Sequence, residues 1–407
     1  MRRDATATLR LTLHGHLSLR KSRLESFCVL VVGVLLSRTV NLSHLACLVP
    51  TRAEIASNYR HLQRFFEQAI LDGSQLARVI VRIAGLGSGP WLLALDRTCW
   101  TFGRHDVNVL MLAIIRNGIA IPVMWDVLGR AGSSTTAQRS ALLSRFCAVF
   151  GETAIAGLIA DREFIGTAWM TSLAERDIPF ILRIKDSFQV CLADGRHCQV
   201  RSLFQKIRVG GRRYIREDCR LGSRDSSLGP PLKLAATRLV SGDLLVVATN
   251  TDPKIALAQY RRRWEIETPF AALKTRGFNL EDTHIVHPDR IGKLLAVLAV
   301  AFAFAHATGE WQAKHRPIII KPHKRRAQSI FRVGFDLLRK ILLAAPNEAI
   351  HWWQLLIAGQ PLRPIRPHSS PQLNPWKKSR VPCVTGRDGA EVLELVEEAL
   401  DEVPVPR

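Results

Sequence analysis

The stretch YRRRWEIETPFAALKTRGFNLEDTH, residues 260–284, decides how the rest of the chain is read. At roughly 100° per residue in a helix, Tyr260, Arg263, Glu267 and Lys274 fall within about 60° of one another around the axis. Glu265 points almost the opposite way. A solvated face needs no such stripe. Arg263 and Glu267 also read as a surface i, i+4 ion pair, worth some tenths of a kcal/mol and in the weaker order with Arg first. Lys274 lies roughly 10 Å along the axis from Glu267, so it is not simply that residue's partner. Two cations flanking a carboxylate, with Tyr260 as a hydroxyl donor, suit a phosphate. The pattern predicts one helix over about 254–276. Pro269 interrupts it. Having no N–H, it forgoes the bond to Glu265, and inside a continuous helix it costs up to about 3 kcal/mol and predicts a kink.

Working outward, residues 186–253 are polar and turn-rich, with the strand-like pieces RRYIREDCRL, PLKLAATRLV and DLLVVATN and no helical period, which predicts a β-rich insertion. Before it, WLLALDRT (91–98), VNVLMLAIIRNG (107–118) and AIPVMWDVL (120–128) read as a three-stranded meander. SSTTAQRSALLSRFCAVFG (133–151) has helical spacing, IAGLIAD (155–161) is a buried strand, TAWMTSLAERD (167–177) a helix and PFILRIK (179–185) a strand. The order is β-β-β-α-β-α-β. Residues 1–88 read as helices. In SNYRHLQRFFEQAI (57–70) Leu62, Phe65, Phe66 and Ile70 form an apolar stripe, with Ser57 or Asn58 as N-cap, and GLGSGP (85–90) is a linker. After the decisive stretch come an apolar helix around 291–309 and a basic amphipathic one within 323–343, then a Pro-rich and finally acidic tail.

Fifty-seven Lys and Arg against 35 Asp and Glu give a net charge of +22 and favour a polyanionic partner, nucleic acid before an anionic membrane. FCVLVVGVLL (27–36) and LLAVLAVAFAFA (294–305) are shorter than the ~20 residues a spanning helix needs, so both are expected in the core and no membrane partner is expected. The first residues show no signal-peptide pattern. Cysteines at 28, 47, 99, 147, 191, 198, 219 and 383 form no CxxC pair and are expected to be buried free thiols in a reducing cytoplasm.

Three carboxylates stand out. Asp96 is expected at the end of the first strand, Asp161 at the C-terminal edge of the fourth, and Glu267 on the helix after the insertion. If the first and fourth strands are neighbours, the two aspartates emerge side by side. Three such groups, with substrate phosphate, suit two hard divalent ions for in-line phosphoryl transfer, Mg²⁺ or Mn²⁺ rather than Zn²⁺. Each has a blander reading: Asp161 caps a turn or helix, and Asp96 marks a strand end.

The spacing Tyr260-x2-Arg263-x3-Glu267-x6-Lys274 resembles the "YREK" signature of the bacterial insertion-sequence transposases of family four. ADREF (160–164) resembles that family's second-Asp motif, ALDRT (94–98) its first-Asp strand, and RGFNLEDTH (276–284) the sequel of the signature. The resemblance spans about residues 35–345. It implies an α/β protein with an RNase H-like mixed-sheet catalytic core interrupted by a β-rich insertion, and a helical N-terminal DNA-binding region. The boundaries are 1–88 for that region, 89–185 and 254–345 for the two parts of the core, 186–253 for the insertion and 346–407 for the C-terminal region. It implies Asp96, Asp161 and Glu267 as the catalytic and metal-binding DDE triad, two Mg²⁺ or Mn²⁺ ions per active site, and Tyr260, Arg263 and Lys274 as DNA-phosphate-binding residues. The implied reaction is cut-and-paste transposition at terminal inverted repeats: nicking by water, hairpin formation, hairpin opening and joining to target DNA. The implied assembly is a homodimer on double-stranded DNA, in a bacterial cytoplasm and associated with the nucleoid. Relatives known for hairpin formation stack a displaced base on an aromatic of the insertion. Residues 186–253 hold no Trp, so Phe188, Phe204 and Tyr214 are the aromatics available there. The other readings are a metal-dependent RNase H-like nuclease, an inactive copy that only binds element ends, and a two-carboxylate glycosidase using Asp96 and Asp161, which the basic charge disfavours.

Overall fold

In the computed structural model, residues 3–222, 228–322, 326–360 and 362 are described; the tail beyond them, with Cys383, lies outside. Five helices open the chain: α1 (Arg3–His14), α2 (Lys21–Ser37), α3 (Leu42–Cys47), α4 (Ile55–Gln68) and α5 (Gly73–Ile83). The meander follows as β1 (Trp91–Phe102), β2 (His105–Arg116) and β3 (Ile119–Leu128), then α6 (Thr136–Phe150), β4 (Ile155–Ala160), α7 (Thr167–Glu175) and β5 (Phe180–Ile184). The expected order β-β-β-α-β-α-β is the observed one. Ser/Thr at the start of the α6 segment serves as anticipated: Thr135 and Gln138 form a reciprocal capping box.

The insertion builds β6 (Gln189–Cys191), β7 (His197–Gln199), a single-turn α8 (Val200–Leu203), β8 (Arg212–Leu221), β9 (Leu232–Arg238) and β10 (Leu244–Thr249). These strands continue the sheet. Its order is β3-β2-β1-β4-β5-β10-β9-β8-β6-β7. β4 runs parallel to β1 and to β5, and the other pairings are antiparallel. The result is a large mixed sheet with both faces buried near β1, β4 and β5, where the strands read as near-continuous apolar runs.

The rest is helical: α9 (Pro253–Tyr260), α10 (Glu267–Leu273), α11 (Pro288–His315), α12 (Ile330–Ala344) and α13 (Pro346–Ile357). α11 is the axis of this layer, packing on β3 and against α2, α4, α5, α10, α12 and α13, while α1 lies on α2 and α13. It has 28 residues, and by length and composition could cross a membrane, but 94% of its apolar window is buried inside the protein. Counting twelve apolar residues therefore underestimated the helix; burial, not length, marks it as a core element. α12 crosses α11 at Gly309 and Gly334, where backbones touch with no room for a Cβ.

Some local expectations fail. α4 starts at Ile55, so Ser57 and Asn58 lie inside it, and buried Asn58 instead bonds Thr51 Oγ1 at 2.9 Å and the Ala46 carbonyl at 3.4 Å. Ile70, beyond the end of α4, is 86% exposed. Of the described cysteines, all free, Cys28 and Cys219 are buried, whereas Cys47 and Cys99 are exposed.

Candidate active site

The parallel ladder between β1 and β4 ends at Leu95 and Ala160. The next residue of each chain segment is an aspartate, Asp96 or Asp161. The strands are neighbours about 4.8 Å apart, so the two carboxylates emerge together at one edge of the ladder. Asp96 is not at the end of its strand, as expected from sequence. β1 runs on to Phe102, paired with β2 alone down to His105, so Asp96 marks the end of the parallel pairing only.

The two aspartates share a local geometry. Asp96 Oδ1 accepts the Arg97 amide at 2.8 Å, and Asp161 Oδ1 accepts the Arg162 amide at 2.8 Å. Asp161 thereby caps the 3₁₀ turn Arg162–Phe164, so its bland reading is true as far as it goes. It also accepts a hydrogen bond from the Tyr260 hydroxyl at 3.2 Å and lies 3.6 Å from Arg183 Nη1 of β5.

The helix expected over 254–276 is broken. α9 ends at Tyr260, a 3₁₀ segment spans Arg261–Ile266, and α10 starts at Glu267. In a 3₁₀ helix residues i and i+3 eclipse, which keeps Tyr260 and Arg263 on one side. Pro269 becomes the third residue of α10. The first four N–H groups of an α-helix lack an intrahelical partner, so its missing donor falls where least is lost. The kink is the 3₁₀ segment itself, placed before Pro269 rather than caused at the cost of a mid-helix bond.

Arg263 is the hub. It is 5% exposed, and its Nη1 donates to Asp96 Oδ2 at 2.8 Å while Nη2 lies 3.5 Å from Glu267 Oε1. Its guanidinium carbon sits 4.5 Å from the Trp264 ring centroid, and its buried Nε has no hydrogen-bond partner. This is no surface ion pair. Burial pushes the Asp96 carboxyl up to about 6, with Asp161 and Glu163 adding to it and Arg263 and the Arg97 amide opposing. Burial likewise raises Glu267, with Arg263 opposing and Asp161 adding, and it raises the Tyr260 phenol, which the Asp161 charge raises further. Glu265 points away as expected, accepting the Gly118 amide at 3.1 Å and so fastening the 3₁₀ segment to the β2–β3 turn.

Lys274 is not gathered into this group. α10 stops at Leu273, and the Lys274 Nζ donates to the Cys99 carbonyl at 2.8 Å, pairs with Glu281 at 3.1 Å and sits 5.7 Å from the Trp100 ring centroid. Its position is about three to four residues along β1 from Asp96, or roughly 10–13 Å. The structure thus brings together Asp96, Asp161, Glu267, Tyr260 and Arg263. It adds Arg183, whose sequence signal is only a cation in the otherwise apolar strand FILRI. Of the aromatics in the insertion, Phe204 is fully buried in the core, while Phe188 and Tyr214 are half-buried.

Among the described residues no three His, Cys, Asp or Glu side chains converge closely enough to hold a metal ion. The Arg263 guanidinium lies between Asp96 and Glu267 and supplies a counter-charge to both. The donor set still suits a hard divalent ion, being all carboxylate oxygen, with two of the three groups under-compensated enough for burial to raise them.

The fold and this carboxylate site coincide with a family match. The transposase DDE domain model matches residues 87–304, more than half of the chain, and the chain belongs to that family. No curated protein matches the chain. Among solved structures, a piggyBac transposase synaptic complex with hairpin DNA is similar at TM-score 0.40 and 8% identity, over 88% of this chain and 78% of that one, a likeness too slight to bear on the site.

Proposed function

We propose that the chain is a DNA transposase of the insertion-sequence type, of family four, in which Asp96, Asp161 and Glu267 form the catalytic triad. The observation that carries this reading is the emergence of Asp96 and Asp161 from the end of one parallel ladder, joined through Arg263 to Glu267, in a chain of the transposase DDE family. The sheet order β3-β2-β1-β4-β5, with the first three strands antiparallel and β4 and β5 parallel to β1, supports an RNase H-like core over 89–185 and 254–345. The strands of 186–253 then form an insertion that extends its edge, and residues 1–88 form the helical DNA-binding region.

Asp96, Asp161 and Glu267 would hold Mg²⁺ or Mn²⁺, which when bound supplies activation of the attacking oxygen and stabilisation of the leaving one. The chain's own residues do the rest. Tyr260 fixes Asp161 through its hydroxyl. Arg263 orients Asp96 and Glu267 and faces the terminal phosphate. Lys274, which follows α10 and reaches β1 at Cys99, holds a phosphate beyond it. The reaction is end nicking, hairpin formation and opening, and strand transfer at terminal inverted repeats, by a homodimer on DNA in a bacterial cytoplasm.

The test is cleavage of a labelled duplex carrying the element's terminal repeat, with Mg²⁺ or Mn²⁺ and with EDTA. Metal-dependent nicks at the repeat boundary followed by a hairpin species are expected. End-specific binding with no cleavage would refute the catalytic part and leave an end-binding protein, whereas nicking without joining would leave a nuclease.

A further inference from the structure

The side chains of two motif residues, Arg97 of ALDRT and Glu163 of ADREF, make no hydrogen bond to the three carboxylates. They meet each other. Arg97 Nε and Nη2 both donate to Glu163 Oε2, at 3.1 and 2.8 Å. Arg97 Nη1 donates to Asn108 Oδ1 at 3.2 Å and to the Gly132 carbonyl at 2.8 Å. Asn108, 1% exposed, donates in turn to the carbonyls of Arg130 at 3.1 Å and Gly132 at 2.8 Å. One guanidinium thus ties together β1, β2, the loop before α6 and the turn after β4.

The position of this knot matters. Beyond Leu95 and Ala160 no ladder bond joins β1 to the segment carrying Asp161. Each aspartate carboxylate is fixed to its own backbone by the following amide at 2.8 Å. Tyr260 and Arg263 hold the carboxylate tips, on Asp161 and Asp96, and the separation of the two backbones beneath them is left to contacts outside the ladder. Side chains alternate across a strand, so Arg97 leaves β1 on the face opposite Asp96 and can brace the segments without entering the site. An exposed ion pair would contribute little. This one is partly buried, at 19% and 29% side-chain exposure, and shares its cation among four acceptor contacts.

We infer that Arg97 and Glu163 are positioning residues, a clamp that sets the separation of Asp96 and Asp161 and hence the affinity of the pair for a divalent ion. The inference rests on those aspartates being the catalytic pair. The clamp touches neither substrate nor the reacting atoms.

The experiment uses the full chain and Mn²⁺ alone, titrated by electron paramagnetic resonance without DNA, beside end binding in EDTA and end cleavage in Mg²⁺. Arg97→Glu and Glu163→Gln should each weaken Mn²⁺ binding about tenfold, as loss of supporting contacts around metal ligands does. Cleavage should fall roughly 10²-fold, the scale of a 1 Å misplacement, with end binding unchanged. The charge swap Arg97→Glu with Glu163→Arg should recover most of both losses, a rescue that general destabilisation would not give. Wild-type Mn²⁺ affinity in both single variants, or a swap no better than the worse single variant, overturns the clamp. If Asp161→Asn leaves Mn²⁺ affinity unchanged, the catalytic assignment fails first and the clamp falls with it.

Discussion

Replacing Pro269 by alanine separates two accounts of the segment that carries Glu267. In a continuous helix over 254–276, proline costs about 3 kcal/mol, and its removal should stabilise the protein by most of that. In the observed geometry Pro269 is the third residue of α10, after a 3₁₀ turn. Alanine there restores at most one hydrogen bond, worth about 1 kcal/mol net. Against that, Pro269 is buried, and truncation removes about two methylenes at about 0.8 kcal/mol each. The freer unfolded chain costs a further 0.4–1 kcal/mol, roughly. The balance is a loss of about 1 kcal/mol. Urea unfolding of the full chain reads the sign directly, with the slope checked for constancy. A gain of about 2 kcal/mol or more would refute the broken-helix reasoning and mean that the native site is strained around Pro269. End cleavage by the same variant should stay close to wild type, since Glu267 precedes the substitution and is held by Arg263.

Glu267→Gln should abolish end cleavage while end binding in EDTA persists; retained metal-dependent cleavage would sink the triad. Lys274→Ala should slow cleavage and joining and reduce the salt dependence of end binding by about one phosphate contact, and an unchanged salt slope would remove Lys274 from the DNA path. Gly334→Ala should destabilise the fold despite the helix-propensity gain of about 1 kcal/mol, because its Cβ meets the Ala305 carbonyl and the Gly309 backbone; a rise in Tm would contradict that packing. Glu310 links α11 to the β2–β3 turn through Arg116 at 3.2 Å and Asn117 at 3.1 Å. Burial opposes its ionisation, but His306 and Arg116 outweigh burial and hold it at about 2, below the ordinary 4.5. A carboxylate depressed in this way adds stability above about pH 4.5 that is lost as pH falls towards 2, roughly 2 kcal/mol once its partial exposure is discounted. Arg116→Gln should flatten that acid limb of the unfolding curve.

The strand order was legible because the period-2 and continuous apolar runs of 91–184 carry their own punctuation at Gly103, Gly118 and Gly151. The helix layer was less so. Asn58 looks like a cap because Asn favours caps, but here a buried tertiary bond to Thr51 outweighs that preference. The stripe through 260–274 was legible for Tyr260, Arg263 and Glu267, since i, i+3 and i+4 neighbours stay together whether the turn is α or 3₁₀. It was not legible for Lys274, because a seven-residue extrapolation assumes a helix that ends one residue too early. Arg97 and Glu163 could not be paired from sequence at all. They lie 66 residues apart, and only the parallel register of β1 and β4 brings them together.

The charge of the chain and the charge of its site point in opposite directions, and that contrast explains the place of Arg263. A net +22 raises the local concentration of a polyanion over the whole surface. At the ladder edge, by contrast, Asp96, Asp161 and Glu267 gather with Glu163 close behind. A phosphate approaching that cluster unaided would be repelled. One buried guanidinium, bonded to Asp96 and paired with Glu267, lowers the repulsion among the carboxylates and turns cationic nitrogens toward them. Its orphaned Nε leaves a donor without an acceptor inside the same site, where a buried donor costs about 1–3 kcal/mol. Arg263→Lys, which keeps the charge but loses the planar fork, should therefore retain the fold while weakening the hold on the terminal phosphate. Cleavage indistinguishable from wild type in that variant would show that charge alone, and not the geometry of the fork, is what the site requires.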